Sequence, residues 1–246
     1  MRFANRSVVV TGGGTGIGRG VALAFAAQGA DVLVAGRRED RLMQVAAESD
    51  KIAAFAGDIT DAGVAAAVVS RALERSGRLD VVVNNAGRLL RGSLASTSPS
   101  DIQDIFSLHV VGPALVARAA VPELERVSGS IVNVSSIVAH HPSASAAYYG
   151  ASKLAIEYLT RCWAVELAPQ GIRVNAVAPG PTESEALVAA ELSAEEIARA
   201  NQAQLPLGRR GRPDDIAYWV LAFADSAAEW VTGQVVSVDG GAGLTW

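Results

Sequence analysis

The chain of 246 residues is half apolar, contains 24 glycines, and sets 21 Lys+Arg against 25 Asp+Glu for a net charge of −4. That size suits a single α/β domain spanning 1–246 with a large core, and the slightly acidic balance speaks against a broad nucleic-acid-binding surface. The lone Cys162 excludes an internal disulfide and suits a reducing compartment; no uninterrupted apolar run approaches the ~18–20 residues of a membrane span, and Val8-Val9-Val10 follows the start too closely for a signal peptide, so a cytoplasmic protein off the membrane is expected.

Ser7–Thr11 is a short β-branched run, read as the first strand. Gly12-Gly13-Gly14-Thr15-Gly16-Ile17-Gly18 follows, and then an Ala-rich helix to Gln28 that Gly29 ends with an expected left-handed C-cap. Strand, glycine turn and helix make the opening of a dinucleotide-binding unit, because glycines let backbone approach a pyrophosphate at a helix N-terminus. A phosphate-binding P-loop is rejected: Arg19-Gly20 stands where Lys-Ser/Thr is required.

Asp31–Gly36 is the second strand, and Arg37-Arg38-Glu39-Asp40 opens the next helix. An NAD-preferring site would carry an acid at the end of this strand to hold the ribose 2′-hydroxyl; Gly36 stands there instead, followed by two arginines. Cations are disfavoured at a helix N-terminus, and a 2′-phosphate would account for them, so NADP (as NADPH) is favoured with NAD as the alternative. The bland reading is two solvated arginines balanced by Glu39 and Asp40.

Ile52–Gly57, ending in Asp58-Ile59, is the third strand; Ala62–Arg75 is an amphipathic helix; Leu79–Asn84 is the fourth strand, running into Asn85-Ala86-Gly87. Its continuous Val81-Val82-Val83 suits a strand buried on both faces. Ser100–Leu124 is predicted as one long helix N-capped near Ser98–Ser100, and Ser130–Ser135 as the fifth strand with Ser136 at its carboxyl end. A helix from Ala147 to about Ala168 comes next, then Ile172–Ala176, the turn Ala178-Pro179-Gly180-Pro181, and a last strand at Val235–Val238. This alternation predicts a doubly wound, Rossmann-like parallel sheet with helices on both faces, a three-layer α/β/α architecture. Ligands of such folds sit beyond the carboxyl ends of the strands, which gathers Gly12, Asn85, Ser136 and Pro179 at one cleft.

On the Ala147 helix, Tyr149 and Lys153 stand four apart and share a face. A phenol ordinarily releases its proton near pH ~10; a neighbouring ammonium is expected to pull that value down, and the Ser136 hydroxyl is suited to hold a carbonyl oxygen. The trio can move the proton on a carbonyl or alcohol oxygen, with the bland alternative a half-exposed helix face.

The chain resembles the short-chain dehydrogenase/reductase family over essentially its whole length. The matching stretches are Thr11–Gly18, Asn84-Asn-Ala-Gly87, Ser136 with Tyr149-x-x-x-Lys153, Pro179-Gly180, Gly208-Arg-Arg-Gly-Arg-Pro-Asp-Asp-Ile216 and Thr232-Gly-Gln to Val238-Asp-Gly-Gly241. The resemblance implies that Tyr149 protonates a ketone as hydride arrives, that Lys153 holds the nicotinamide ribose, and that Ser136 fixes the substrate oxygen. It implies further that Gly12, Thr15, Gly16, Ile17 and Gly18 line the pyrophosphate and adjoining ribose. Arg37 would meet the 2′-phosphate, Asp58 and Ile59 the adenine, Asn85, Ala86 and Gly87 the ribose, and Pro179, Gly180 and Thr182 the carboxamide. Tyr148 is read as a pocket wall.

His109 stands where the family has an asparagine that holds a water in the proton path; an imidazole there is either a proton carrier or a neutral packing residue. His140 and His141, between Ser136 and Tyr149, have no third ligand at metal-like spacing, and at least one is expected to be exposed. Residues 181–207 are read as a substrate lid, with a capping box at Ser193-Ala-Glu-Glu196. Arg88 and Arg91 either meet an acidic or carrier-bound substrate or are ordinary surface charges.

The expected activity is interconversion of a small-molecule ketone and a secondary alcohol, working as a ketone reductase. An NAD-dependent alcohol dehydrogenase and a non-catalytic cofactor-binding module are the alternatives. The family also implies a homo-oligomer, with a tetramer favoured, pairing Ser100–Leu124 and Tyr149–Ala168 between subunits and engaging the tail Gly243-Leu-Thr-Trp246 in a second interface.

Overall fold

The computed structural model describes residues 1–183 and 205–245. Seven strands, β1 (Ser7–Thr11), β2 (Asp31–Gly36), β3 (Ile52–Ala56), β4 (Val81–Asn84), β5 (Ser130–Val134), β6 (Arg173–Pro179) and β7 (Val235–Val238), form one sheet. Its order is β3-β2-β1-β4-β5-β6-β7 and every pairing is parallel. The order reverses between β1 and β4, and the two βαβ halves leave a crevice above that point.

The strands read as apolar runs because each buries both of its faces. Alternate residues go to opposite layers: Val8 and Val10 of β1 pack with Val21, Phe25, Leu42 and Val220, while Val9 packs with Val68, Val116 and Leu167. The first layer therefore holds α1 (Gly16–Ala27), α2 (Glu39–Ala46) and the C-terminal helix at Pro213–Ala224; the second holds α3 (Ala62–Ser76), α5 (Gly112–Glu125) and α6 (Ala147–Leu167). In the first layer Gly20 is required by contact, since a Cβ there would lie 2.6 Å from Cβ of Pro213. The Pro213–Ala224 helix is called α7 below.

The long helix expected over Ser100–Leu124 is interrupted. It runs as α4 (Pro99–Phe106), a π turn over Ser107–Val111, and then α5, with Ser98 as the N-cap accepting from the Asp101 amide at 3.1 Å. Pro113 has no N–H to offer the carbonyl four residues back, that of His109, which removes one rung of the regular ladder where the π turn ends, although α5 runs on through Pro122. Taken together, Pro99–Glu125 has 27 residues and contains a window of mean hydropathy 1.5, long and apolar enough to cross a membrane. That corrects the expectation that no such stretch exists, which counted uninterrupted apolar runs. Here the stretch serves as a core element, burying Ile105, Val116, Ala120 and Leu124.

Strand β6 also departs from expectation, extending through Pro179 rather than stopping at Ala176. Its length is set by its neighbour: Ala176 to Pro179 register with Val235 to Val238. Residues 184–204, which include the expected capping box and most of the expected lid, lie outside the described residues, as does Trp246. The stems at either side are held. Glu183 N–H donates to the Gly211 carbonyl at 2.8 Å, and Leu207 N–H to that of Gly240 at 3.1 Å.

Candidate active site

A cleft of about 400 Å³ opens at the carboxyl ends of β1, β4, β5 and β6. Gly12, Thr15, Gly16, Ile17 and Gly18 line one end; Asn85, Gly87, Ser136, Tyr149, Lys153, Pro179, Gly180 and Thr182 line the rest. A smaller depression beside it is lined by Arg37, Asp58, Ile59 and Ala86, together with Gly12 and Gly87. The residues that the resemblance assigned to catalysis and cofactor binding thus come to one edge of the sheet.

The glycine turn is built for close approach. Gly12 has φ +65° and a Cβ there would fall 2.7 Å from Cα of Ala86, while one at Gly18 would fall 2.2 Å from the Gly12 carbonyl oxygen. Thr11 Oγ1 accepts from the amides of Asn85 and Ala86, each at 3.1 Å, and the Asn85 side chain donates to the carbonyls of Thr11 and Gly12. The Asn85 amide is therefore committed to holding β4 against the turn. Thr15, the N-cap of α1, makes no side-chain cap, and the first turn of that helix has no acidic residue. Unsatisfied N–H groups and the positive end of the helix dipole face the cleft, which fits the pyrophosphate of a dinucleotide.

Arg37 lies 3.9 Å from Asp58. Arg38, which the sequence reading did not single out as a site residue, is the N-cap of α2 in extended conformation. Its guanidinium leans over the glycine turn and donates to Thr15 Oγ1 at 3.2 Å. The adjacent arginine pair was the signal available; which of the two faces the turn depends on where α2 begins.

Helix α6 carries its polar side chains inward. Lys153 is buried and its Nζ donates to the Val134 carbonyl at 2.8 Å. Burial pushes its pKa down to about 8. The Tyr149 phenol behaves opposite to expectation: burial pushes it above its usual value, and a hydrogen bond from Ser136 only partly offsets that. Lys153 does not draw it down, because the ammonium is 6.0 Å from the ring centroid and turned toward the strand carbonyl. Ser136, buried at the end of β5, also accepts from the Val138 amide at 3.3 Å. Tyr148, expected as a pocket wall, does not line the cleft.

Geometry decides between the two readings of His109. It sits in the π turn, buried, with its ring 5.6 Å from that of Tyr149 in an edge-to-face arrangement. The Arg88 amide donates to Nε2 at 3.2 Å, so that nitrogen carries no proton. The Ser152 hydroxyl donates to the Tyr149 carbonyl at 2.7 Å and so accepts from Nδ1–H at 2.8 Å. Both nitrogens are used and the tautomer is set. Burial first, then the charges of Lys153 and Arg88, press the imidazole down to about 2. His109 is a neutral residue braced against Tyr149. Arg88 lines the cleft and pairs with Asp101 at 3.7 Å.

Comparison with known proteins agrees with this geometry. The family model described as enoyl-(acyl carrier protein) reductase, one of the short-chain dehydrogenase/reductase models, matches residues 12–243. An uncharacterized oxidoreductase of Mycobacterium tuberculosis is 38% identical over 98% of this chain and 93% of its own. The 3-oxoacyl-(acyl-carrier-protein) reductase of Thermotoga maritima is 34% identical, covering 98% and 99%. The meso-2,3-butanediol dehydrogenase of Serratia marcescens is 34% identical, covering 98% and 96%. The chain belongs to the short-chain dehydrogenase/reductase family and is an oxidoreductase that uses a nicotinamide dinucleotide.

Two outcomes follow from the electrostatics. At pH 7 the Lys153 ammonium is charged in the folded and unfolded chain alike, and the fold bears the whole cost of burying it. That cost is relieved as pH rises from about 8 to the usual 10.5. The displacement corresponds to about 3 kcal/mol, less about 1 kcal/mol for the hydrogen bond to Val134. Lys153→Met should therefore raise Tm without added cofactor by about 5 °C at pH 7, a gain that melting curves will show shrinking toward pH 10.5. His109→Ala should lower turnover about tenfold without abolishing it, through loss of support for Tyr149. Its pH profile should keep the parent's shape; a lost ionisation in the profile would restore the proton-carrier role.

Proposed function

We propose that this member of the short-chain dehydrogenase/reductase family is an NADP(H)-dependent enzyme that interconverts a ketone and a secondary alcohol, working as a ketone reductase. The observation that carries the reading is the meeting of Ser136, Tyr149 and Lys153 beside an uncapped helix N-terminus in one cleft. Two relatives bear names for ketone and secondary-alcohol chemistry, a 3-oxoacyl reductase and a butanediol dehydrogenase.

In the reaction, the reduced nicotinamide supplies a hydride to the carbonyl carbon. Ser136 holds the carbonyl oxygen by donating a hydrogen bond, strengthening as negative charge gathers there. Tyr149 gives its phenolic proton to that oxygen, so that carbon gains the hydride, oxygen gains the proton, and the phenolate is reprotonated from solvent. Burial raises the phenol's pKa, so Tyr149 stands protonated at neutral pH, the form that a proton donor to the carbonyl oxygen needs. Lys153 keeps N–H groups beyond the one spent on Val134 for the ribose hydroxyls.

The preference for NADP rests on Gly36 at the end of β2, with no acid there for a 2′-hydroxyl, and on Arg37 and Arg38 beside the adjoining depression. An NAD-dependent alcohol dehydrogenase is the alternative. We assign the chain to the cytoplasm on its lone, exposed Cys162. We further assign it a homotetramer. Only 39% of the most apolar window of Pro99–Glu125 is buried within one chain, and Leu154, Tyr158 and Val165 of α6 are exposed beside it. Trp230, Trp219 and Leu244 expose a second apolar area at the C-terminal end.

NADPH oxidation against a panel of ketones should find a substrate, and Tyr149→Phe should cut kcat at least a thousandfold while leaving NADPH binding in place. Turnover by Tyr149→Phe at the parent rate would end the reading. In the same preparations, replacing Arg37 and Arg38 by Ala should weaken NADPH ten- to a hundredfold and leave NADH unchanged; equal losses for both nucleotides would favour the NAD alternative. Sedimentation equilibrium should return four times the 25.3 kDa chain mass, and a monomer would refute the assembly.

A further inference from the structure

Glu157 lies one turn beyond Lys153 on α6 and is completely buried. A carboxylate removed from water costs several kcal/mol unless donors replace its hydration. Ser135 Oγ donates to Oε1 at 2.7 Å. The His140 ring nitrogen Nε2 lies 2.6 Å from Oε2, an ion-pair contact when the ring is protonated. Among the described residues Oε2 has no partner of full hydrogen-bond geometry, so the His140 contact is what faces it, and no Lys or Arg forms an ion pair with Glu157.

The two partners are not scattered. Ser135 immediately precedes Ser136, and His140 follows it by four residues, with a single 3-10 turn over Ile137–Ala139 between them. Both ends of the short loop that carries Ser136 are thus tied to the two oxygens of one carboxylate. That carboxylate stands on the same helix as Tyr149 and Lys153. Ser135 Oγ also reaches the Lys153 carbonyl at 3.2 Å, in the same turn of α6. An apolar side chain would fill this place at lower cost than a buried charge, and the neighbouring Ile156 does so. What the carboxylate adds is direction: its planar pair of acceptors fixes the loop in rotation as well as in distance.

We propose that His140 and Glu157 form a positioning pair that sets the Ser136 hydroxyl against the Tyr149 phenol. Neither touches the reacting atoms. The inference rests on the reading of Ser136 as the group that holds the substrate oxygen. The His140 side chain is 42% exposed, so it can be replaced without hollowing the core.

The test is a double-mutant cycle on the full chain, using a ketone that the parent reduces: parent, Ser136→Ala, His140→Phe and the double variant. His140→Phe should lower kcat about tenfold with NADPH affinity unchanged, since the glycine turn lies at the other end of the cleft. The loss should vanish in the Ser136→Ala background, and His140→Gln, which keeps a donor of similar reach, should recover most of it. Backbone amide exchange over Ile137–His141 should quicken at least tenfold in His140→Phe, a readout that needs no substrate. An equal fold-loss in both backgrounds, a parent-like kcat in His140→Phe, or unchanged exchange would each overturn the proposal. If Ser136→Ala alone keeps full activity, it is the reading of Ser136 that fails, and the exchange rates still decide whether His140 holds the loop.

Discussion

The structure depends on polar groups being buried along one face of α6 and paired, one by one, with the end of β5. Lys153 is matched by the Val134 carbonyl, Glu157 by Ser135, and Thr160 by the Asn133 side chain, which in turn accepts from Asn84 of β4. Ser152 bridges His109 and the Tyr149 carbonyl. Each would be costly to bury alone. Together they lock the helix in register against the strand, and that register puts Tyr149 above Ser136. A helix with an apolar inner face would pack as firmly but would be free to rotate or slide by a fraction of a turn.

Much of this was legible beforehand. The bounds of β1, β2 and β7 follow from β-branched runs closed by glycine or Asp-Gly. The glycine turn, Ser136 and the Tyr149–Lys153 spacing lie where parallel topology requires them. What was not legible has physical causes. The break at Ser107–Val111 falls where Pro113 lacks an N–H, inside a run whose hydrophobic period is otherwise unbroken. The end of β6 is set by β7, almost sixty residues away in sequence. The direction of the Tyr149 shift could not be taken from spacing, because four residues on a helix fix a shared face and not where a flexible amine points. His109 is the same lesson: its role turned on the hydrogen-bond partners of two ring nitrogens, one of them a backbone amide.

The Pro99–Glu125 stretch shows why composition cannot separate a membrane helix from a core helix. Its central window is apolar enough to pass because the second layer of this sheet is itself nearly all Val, Ala and Leu. Asp101, Asp104, Glu123 and Glu125 lie toward its two ends. The middle lies against α3, β4 and α6, yet only 39% of its most apolar window is buried.

The charge pattern of the cleft points the same way as its shape. The chain is net negative, yet the unfilled N–H groups of α1, Arg38, Arg88 and Lys153 line the cleft and Arg37 the depression beside it, with Glu183 and Asp58 the carboxylates nearby. Lys153 adds a cost of its own, since burial lowers its pKa. An anion extended along the crevice would relieve it at each point, most of all at Lys153, whose charged form it would favour. The melting behaviour of Lys153→Met thus reads how much stability the protein forgoes to keep that ammonium buried at the crevice.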